Sequence, residues 1–395
     1  MVRDFRNKTV PRERTALAVW FWEIDRLLLA LIFILIAIGL VAVAAASPVA
    51  AIDRSTSEVS VDPLVYFYRQ ILWVGLGVPL MLGISMLPRD QARRLAISLA
   101  LFFLFTLLLV PLLGSTVNGA RRWIDLPGMR FQPSEFLKPV YIVTTAWLLS
   151  LRARDATLPV VPLTGAVTGL IVLLLMRQPD FGQTVIFCAC WGALLLLAGI
   201  SWRIIGILAV AGLAGLVSVY LFYDNGRQRI NDFLGFGVQL DTGPDQTDLA
   251  HRTITHGGFT GVGPGGGQAK FQLPEAHTDY IFSVIGEEFG LIACIAIALV
   301  YLAIVMRVLL RLLDEDNLFV LLAAAGLTIQ FGLQAIINMG VNAQIFPSKG
   351  MTLPFISYGG SSMLALCTGV GLLLAFTRRN PYLDGKPRAS KWSGR

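Results

Sequence analysis

Chemistry-bearing residues are densest in Gln272-Leu273-Pro274-Glu275-Ala276-His277-Thr278-Asp279, where two carboxylates and an imidazole lie just ahead of an apolar run. Asp279 stands where that run begins as a helix. A carboxylate there can simply cap the first turn and favour the positive end of the helix dipole. The same group, partly stripped of water and beside Glu275, can have its pKa raised until it serves as a general base. Both readings stand on the residues alone. The approach, His256-Gly257-Gly258-Phe259-Thr260-Gly261-Val262-Gly263-Pro264-Gly265-Gly266-Gly267-Gln268-Ala269-Lys270, is rich in glycine. Glycines let backbone N–H groups close on an anion such as a pyrophosphate, and they equally serve plain tight turns. The stretch is neither a Walker loop nor a dinucleotide fingerprint, since no strand precedes it and no Gly-Lys-Ser/Thr appears.

A second cluster runs Arg121-Arg122-Trp123-Ile124-Asp125, then Arg130-Phe131-Gln132-Pro133-Ser134-Glu135, with Lys138 just beyond. Its guanidinium groups suit a clamp on a phosphorylated ligand, with Trp123 anchoring at an interface or stacking on a sugar. Neutralisation by Asp125, Glu135 or lipid phosphate is the alternative. Glu135 and Lys138, three apart on a helix, are expected to form a structural ion pair. Arg177-Gln178-Pro179-Asp180-Phe181-Gly182 breaks a helix at a proline between charges. Pro347-Ser348-Lys349-Gly350-Met351-Thr352-Leu353-Pro354-Phe355-Ile356-Ser357-Tyr358-Gly359-Gly360-Ser361-Ser362 reads as irregular backbone buried in protein or lining a cavity. Arg69, inside an apolar run, requires either an acidic partner, with Glu287 and Glu288 as candidates, or a hydrated cavity.

Membrane helices must position these residues. Of 395 residues, 55% are hydrophobic and 14% charged, where soluble domains carry about a quarter charged. Mean hydropathy is +0.68. Apolar runs of about twenty residues, enough to cross roughly 30 Å of hydrocarbon as helix, fall at about 27–47, 64–87, 95–114, 136–151, 158–176, 182–200, 203–222, 279–306, 318–340 and 361–377. The expected fold is therefore an all-α polytopic membrane protein of about ten transmembrane helices, with a long periplasmic loop over 223–278 between the seventh and eighth. A basic N-tail (1–26) and a basic C-tail (378–395) flank the transmembrane domain (27–377).

With ten spans, both tails fall on the same side as Arg89, Arg93 and Arg94, Arg152 and Arg154, Arg203, and Arg307 and Arg311. The positive-inside rule makes that side cytoplasmic and puts the motif-bearing loops on the other. The net charge of +7 thus reads as topology signals beside anionic headgroups, not as nucleic-acid affinity. Cys188, Cys190, Cys294 and Cys367 lie in apolar segments without metal-ligand or disulfide spacing. The first apolar run is too long for a cleaved signal peptide and lacks a convincing cleavage site.

In family order, Arg122-Trp123, Phe131-Gln132-Pro133-Ser134-Glu135, Gln178-Pro179-Asp180-Phe181-Gly182, Leu273 to Asp279 and Ser357 to Ser362 resemble the SEDS family (shape, elongation, division and sporulation). These are membrane glycosyltransferases that polymerise peptidoglycan, and the resemblance covers nearly the whole chain. Lys349 to Phe355 is more similar to the division branch than to the elongation branch. Gly263-Pro264-Gly265-Gly266-Gly267 departs from the Ser- or Asn-containing glycine loop of most relatives.

The resemblance implies lipid II, a disaccharide-pentapeptide on undecaprenyl pyrophosphate, as substrate. It places the catalytic carboxylate at Asp279. It marks Arg121, Arg122, Trp123, Arg130, Gln132, Ser134, Glu275, His277, Lys349, Ser357 and Tyr358 as candidate substrate contacts. It leaves a divalent cation, magnesium or manganese, open as a helper on the leaving pyrophosphate. A class B penicillin-binding protein, a single-span transpeptidase, is the implied partner, beside other division proteins of the bacterial inner membrane at the septum. A lipid II flippase and a non-catalytic scaffold for division proteins are the rival readings. The crowding of motifs on one face, with no inverted repeat, speaks against the flippase.

Overall fold

The computed structural model describes residues 16–54, 61–117, 120–126, 129–222, 227, 231, 246–347 and 350–378. Each expected apolar run is a helix, because backbone in lipid must satisfy its own N–H and C=O groups within the segment. A short helix α1 (Ala16–Glu23) precedes α2 (Arg26–Arg54), α3 (Val65–Ser85), α4 (Arg89–Leu113), α5 (Pro133–Leu151), α6 (Val160–Arg177), α7 (Phe181–Leu197) and α8 (Trp202–Phe222). The long connection holds α9 (Gln246–His256) and a 3-10 turn (Ala269–Gln272), and α10 (Ile281–Leu312), α11 (Leu318–Asn342) and α12 (Gly360–Thr377) follow. Among the described residues, seven helices (α2, α3, α4, α6, α10, α11 and α12) are long and apolar enough to cross a membrane. Helix α5 carries Glu135 and Lys138 near its start, and α7 is a shorter apolar helix.

Helices α11 and α12 form the centre. Each has 78% of its span buried, against 22–39% for the other five of those spans, whose exposed faces are apolar and suit lipid. The core runs through α2, α5, α10, α11 and α12 and includes Leu28, Ile32, Leu137, Leu322, Leu372 and Phe376.

Two departures from simple helices shape one end of the bundle. First, the stretch between α4 and α5 folds as a small antiparallel sheet of β1 (Ser115–Val117), β2 (Ala120–Leu126) and β3 (Met129–Phe131), in the order β1-β2-β3. Second, α10 is broken at Gly290, whose φ of 78° and ψ of 179° are not helical. The glycine-rich loop repairs the break. Val262 and Gly263 N–H groups donate to the carbonyls of Glu287 and Glu288 at 3.0 and 3.1 Å, and Leu291 and Ile292 donate to Gly258 and Phe259 at 3.0 and 3.3 Å. Lipid offers no water to take over such groups, so an interrupted ladder must be completed by other backbone.

Just beyond this break, Lys270 is buried. Its ammonium pairs with Glu288 and donates to the Ala45 carbonyl of α2 at 3.0 Å. At the opposite end of α10, Arg307 and Arg311 bind Asp25, in the gap between α1 and α2, at 2.9 and 2.6 Å. Burial works against the Asp25 charge. The hydrogen bonds from Arg307 and the Leu28 N–H and the charge of Arg311 outweigh it, holding the carboxyl below its ordinary value.

Candidate functional site

Asp279 is held by its backbone and presented by its side chain. The carbonyls of three consecutive residues are each fixed. His277 O accepts the Tyr358 N–H at 2.9 Å, Thr278 O accepts the Ser357 hydroxyl at 2.6 Å, and Asp279 O accepts the Asn338 and Asn342 amides of α11 at 2.8 and 3.1 Å. Ser357 in turn accepts the Leu353 N–H at 2.7 Å. The irregular segment before α12 therefore clasps the acidic motif, and Glu275 makes the turn with φ of 53°. Close approach of backbone completes the clasp: a Cβ added at Gly350 would stand 3.3 Å from Asp279 Oδ2.

The Asp279 carboxyl faces a cavity of about 890 Å³, a size suited to a sugar-scale ligand. Tyr66, Arg69 and Trp73 of α3 line one side, and Arg122, Trp123, Asp125, Arg130 and Gln132 of the strands and their exit line another. Glu135, Gln183, Glu275, His277, Thr352, Tyr358, Ser361 and Ser362 complete the wall. Burial pushes the Asp279 carboxyl up to about 7, helped by the charges of Glu275, Glu135 and Asp180 and opposed by Arg122. That value suits a base working near neutrality. His277 is buried with its ring 4.6 Å from Tyr66 and 5.5 Å from Tyr358, centroid to centroid, an aromatic stack under the acidic turn.

The structure brings Arg122, Trp123, Arg130, Gln132, Glu275, His277, Tyr358 and Asp279 to one cavity. It places several other candidates elsewhere. Arg121 is exposed, bonds Thr116 across the sheet at 3.1 Å and does not line the cavity. Ser134 is buried in the first turn of α5 and does not line it either. Ser357 is spent on backbone. Lys349 lies outside the described residues.

The expected Glu135–Lys138 ion pair is not a direct contact. Glu135 accepts the Ser361 hydroxyl at 2.8 Å, while Lys138 donates to Gln334 at 3.2 Å. Each charge is satisfied by a neighbouring helix, because these buried groups are surrounded by hydrogen-bonding side chains of α11 and α12. Arg69 takes the second of its two expected solutions. It opens into the cavity, whereas Glu287 and Glu288 are engaged elsewhere.

Arg122 is shared between wall and scaffold. Its Nε donates to Gln178 O at 2.9 Å and a terminal nitrogen donates to Pro179 O, which caps the carbonyl end of α6. Arg130 pairs with Asp125 at 3.4 Å, and Gln132 donates to Asp180 at 3.1 Å. Residue reasoning missed Tyr66, Trp73 and Gln183. The signal for the first two was present: Tyr66, Arg69 and Trp73 fall at i, i+3 and i+7, one face of a helix.

The glycine loop resolves in favour of a structural role. Its N–H groups do close on an anion, and the anion is the protein's own. Glu287 accepts from Gln268 N–H at 2.8 Å, Ala269 N–H at 2.7 Å and Lys270 N–H at 2.9 Å, with His256 Nδ1 at 3.0 Å. As for a resident cation, no three His, Cys, Asp or Glu groups converge among the described residues. That donor set does not make a dedicated metal cage.

The FtsW/RodA/SpoVE family model, described as "Cell cycle protein", matches residues 25–382. A Caulobacter vibrioides protein named "Probable peptidoglycan glycosyltransferase FtsW" is 38% identical over 94% of both chains. A Coxiella burnetii protein of the same name is 36% identical, covering 89% of this chain and 96% of that one. Among solved structures, a chain from "Structural coordination of polymerization and crosslinking by a peptidoglycan synthase complex" superposes with a TM-score of 0.73 at 28% identity, covering 90% of this chain and 97% of that one. The Thermus thermophilus rod shape determining protein RodA gives 0.65 at 28% identity, over 90% of this chain and 96% of that one. The chain belongs to the FtsW/RodA/SpoVE family of cell cycle proteins.

Proposed function

We propose that this chain is a peptidoglycan glycosyltransferase that polymerises lipid II in the bacterial inner membrane, with Asp279 as the general base. The observation that carries the reading is Asp279 itself: a carboxyl near neutral pKa, facing a cavity that Arg69, Arg122 and Arg130 also line. The acceptor sugar gives its 4-hydroxyl proton to Asp279 as that oxygen attacks the anomeric carbon of the donor. The bond from that carbon to the pyrophosphate breaks, and undecaprenyl pyrophosphate leaves with the electron pair. Arginine guanidinium groups offset the charge that develops on it. One carboxylate and one displacement imply inversion at the anomeric carbon.

Backbone clamping of residues 277–279 supports this role, because a base must be held to within a fraction of an ångström. Apolar helices around the cavity supply the setting a lipid-linked donor needs. The site side is the periplasmic one and both termini are cytoplasmic, with the division septum as the place of action. A class B penicillin-binding protein is the proposed partner, which fits the likeness to a chain of a peptidoglycan synthase complex.

The test is Asp279→Asn in the full chain, purified and supplied with lipid II and the transpeptidase. Polymer formation should fall at least 1,000-fold while the melting profile stays cooperative, within the range expected for loss of a base that also positions substrate. Full activity of the variant would remove Asp279 from the reaction.

A further inference from the structure

The bundle carries a second, smaller cavity at the end away from Asp279. It measures about 250 Å³ and is lined by Arg89, Arg93 and Arg154 with Trp147, Phe319 and Asp90. Its position follows from three helices that run from one end of the bundle to the other. Helix α4 starts at Arg89 and leads into the strands of the Asp279 site. Helix α5 carries Glu135 of the Asp279 cavity and Trp147 of the second one, twelve residues apart or about 18 Å at 1.5 Å per residue. Helix α11 starts beside Phe319 and ends at Asn342, which binds Asp279.

Three guanidinium groups face one lining carboxylate here. Arg89 is engaged with the Arg378 carbonyl at 3.0 Å and with Glu315 at 3.6 Å. Arg93 reaches Asp90 at 3.2 Å, yet its Nε is buried and without a hydrogen-bond partner. That N–H is sealed in the protein, while the side chain stands in a wall shared with two more arginines. Its guanidinium also lies 5.9 Å from the Phe319 ring, so it is braced from one side. Arg89, Arg93 and Arg154 line the cavity together, and a phosphate oxygen is the acceptor that forked guanidinium N–H groups fit best.

We propose that this cavity binds a phosphate group, and that the group is the headgroup of an anionic membrane phospholipid. The lipid source is favoured by place. Trp147 lies in the wall near the end of α5 and Phe319 at the start of the apolar helix α11, the level at which headgroups sit. The site is separate from the catalytic cavity and asks nothing of the sugar chemistry.

The full chain in detergent is titrated with phosphatidylglycerol, with phosphatidylcholine of the same acyl chains, and with inorganic phosphate. Retention is read by native mass spectrometry and stabilisation by thermal unfolding. The expected result is one phosphatidylglycerol held about tenfold tighter than phosphatidylcholine, a difference of about 1.4 kcal/mol. Arg93→Gln and the exposed, independent Arg154→Gln should each erase that preference. Arg203→Gln, an exposed arginine of α8 outside the cavity, should leave it unchanged. If Arg93→Gln fails to fold, Arg154→Gln alone decides. Equal retention of the two lipids, or an equal loss in Arg203→Gln, would overturn the site in favour of general surface attraction. Stabilisation by inorganic phosphate that matches phosphatidylglycerol would overturn the lipid assignment and leave a free-phosphate site.

Discussion

Asp279 and Glu287 show how differently two carboxylates of one motif region are treated. Glu287 accepts three backbone N–H groups and so serves the fold. Asp279 spends only its backbone carbonyl on the fold, and its carboxyl faces acidic neighbours in a partly dry cavity. A base with a pKa of about 7 is about nine-tenths ionised at pH 8 and one-tenth at pH 6. Polymerisation rate at subsaturating lipid II should therefore fall close to tenfold between those values, and a flat profile would deny Asp279 the role. Stability carries the opposite sign. The folded carboxyl stays protonated to higher pH than the unfolded one, whose ordinary value is 3.8, so the fold weakens as pH rises from about 4 to about 7. Asp279→Asn should then unfold at a higher temperature than the parent at pH 8 and at an equal one at pH 4, measured by thermal scanning. The reactive carboxylate was legible from residue types alone. Its distinction from Glu287 was not, because that depends on which N–H groups the glycine loop turns inward.

At the scale of elements, the periodic parts were read well and the irregular ones poorly. Ten helices lie where apolar runs do, since length and hydropathy carry that signal directly. The β-sheet at 115–131 was missed: its strands are three to seven residues long, with charged residues at several positions and no apolar alternation to reveal them. The break in α10 was missed as well, because a lone glycine inside a helical pattern is common and Gly290 is flanked by Phe289 and an apolar run from Leu291. It is nevertheless a demanding position. A Cβ at Gly290 would collide with Gly261 N and Phe259 O, and Gly261, at φ of 83°, faces the Glu288 carbonyl in the same way. Gly290→Ala should cost about 1–3 kcal/mol from backbone strain alone, with more from the clash. The check is a lowered unfolding temperature together with faster proteolysis within 257–272. An unchanged profile would mean the loop and α10 are not locked together.

For the whole molecule, the arrangement is polarised. Strands, acidic turn, glycine loop and the segment before α12 gather at one end, and arginines with Asp25 gather at the other. Basic residues in alternate loops made the two unlike ends legible in the sequence, and the preference of cationic loops for the cytoplasm predicts which side each end faces. What the loops could not reveal was which arginines turn inward: Arg69 and Arg122 do, Arg121 does not. The orientation is testable with single cysteines in a chain whose native cysteines are replaced. A membrane-impermeant maleimide should label Thr116→Cys in intact spheroplasts, and Thr157→Cys only after permeabilisation. The reverse pattern would put the Asp279 cavity in the cytosol and end the proposal for lipid II polymerisation.

The bond from Lys270 to the Ala45 carbonyl joins positions 225 residues apart. During synthesis the earliest long helix enters the bilayer well before its ammonium tether has been translated. Newly made α2 can dock on α3 at once, where Ser47 binds the Pro63 carbonyl at 2.6 Å, but its Lys270 contact must wait until the glycine loop is made and folds back. That face of the bundle closes from the late part of the chain onto the early part, so a nascent chain stalled before residue 270 would leave the Ala45 side of α2 uncovered.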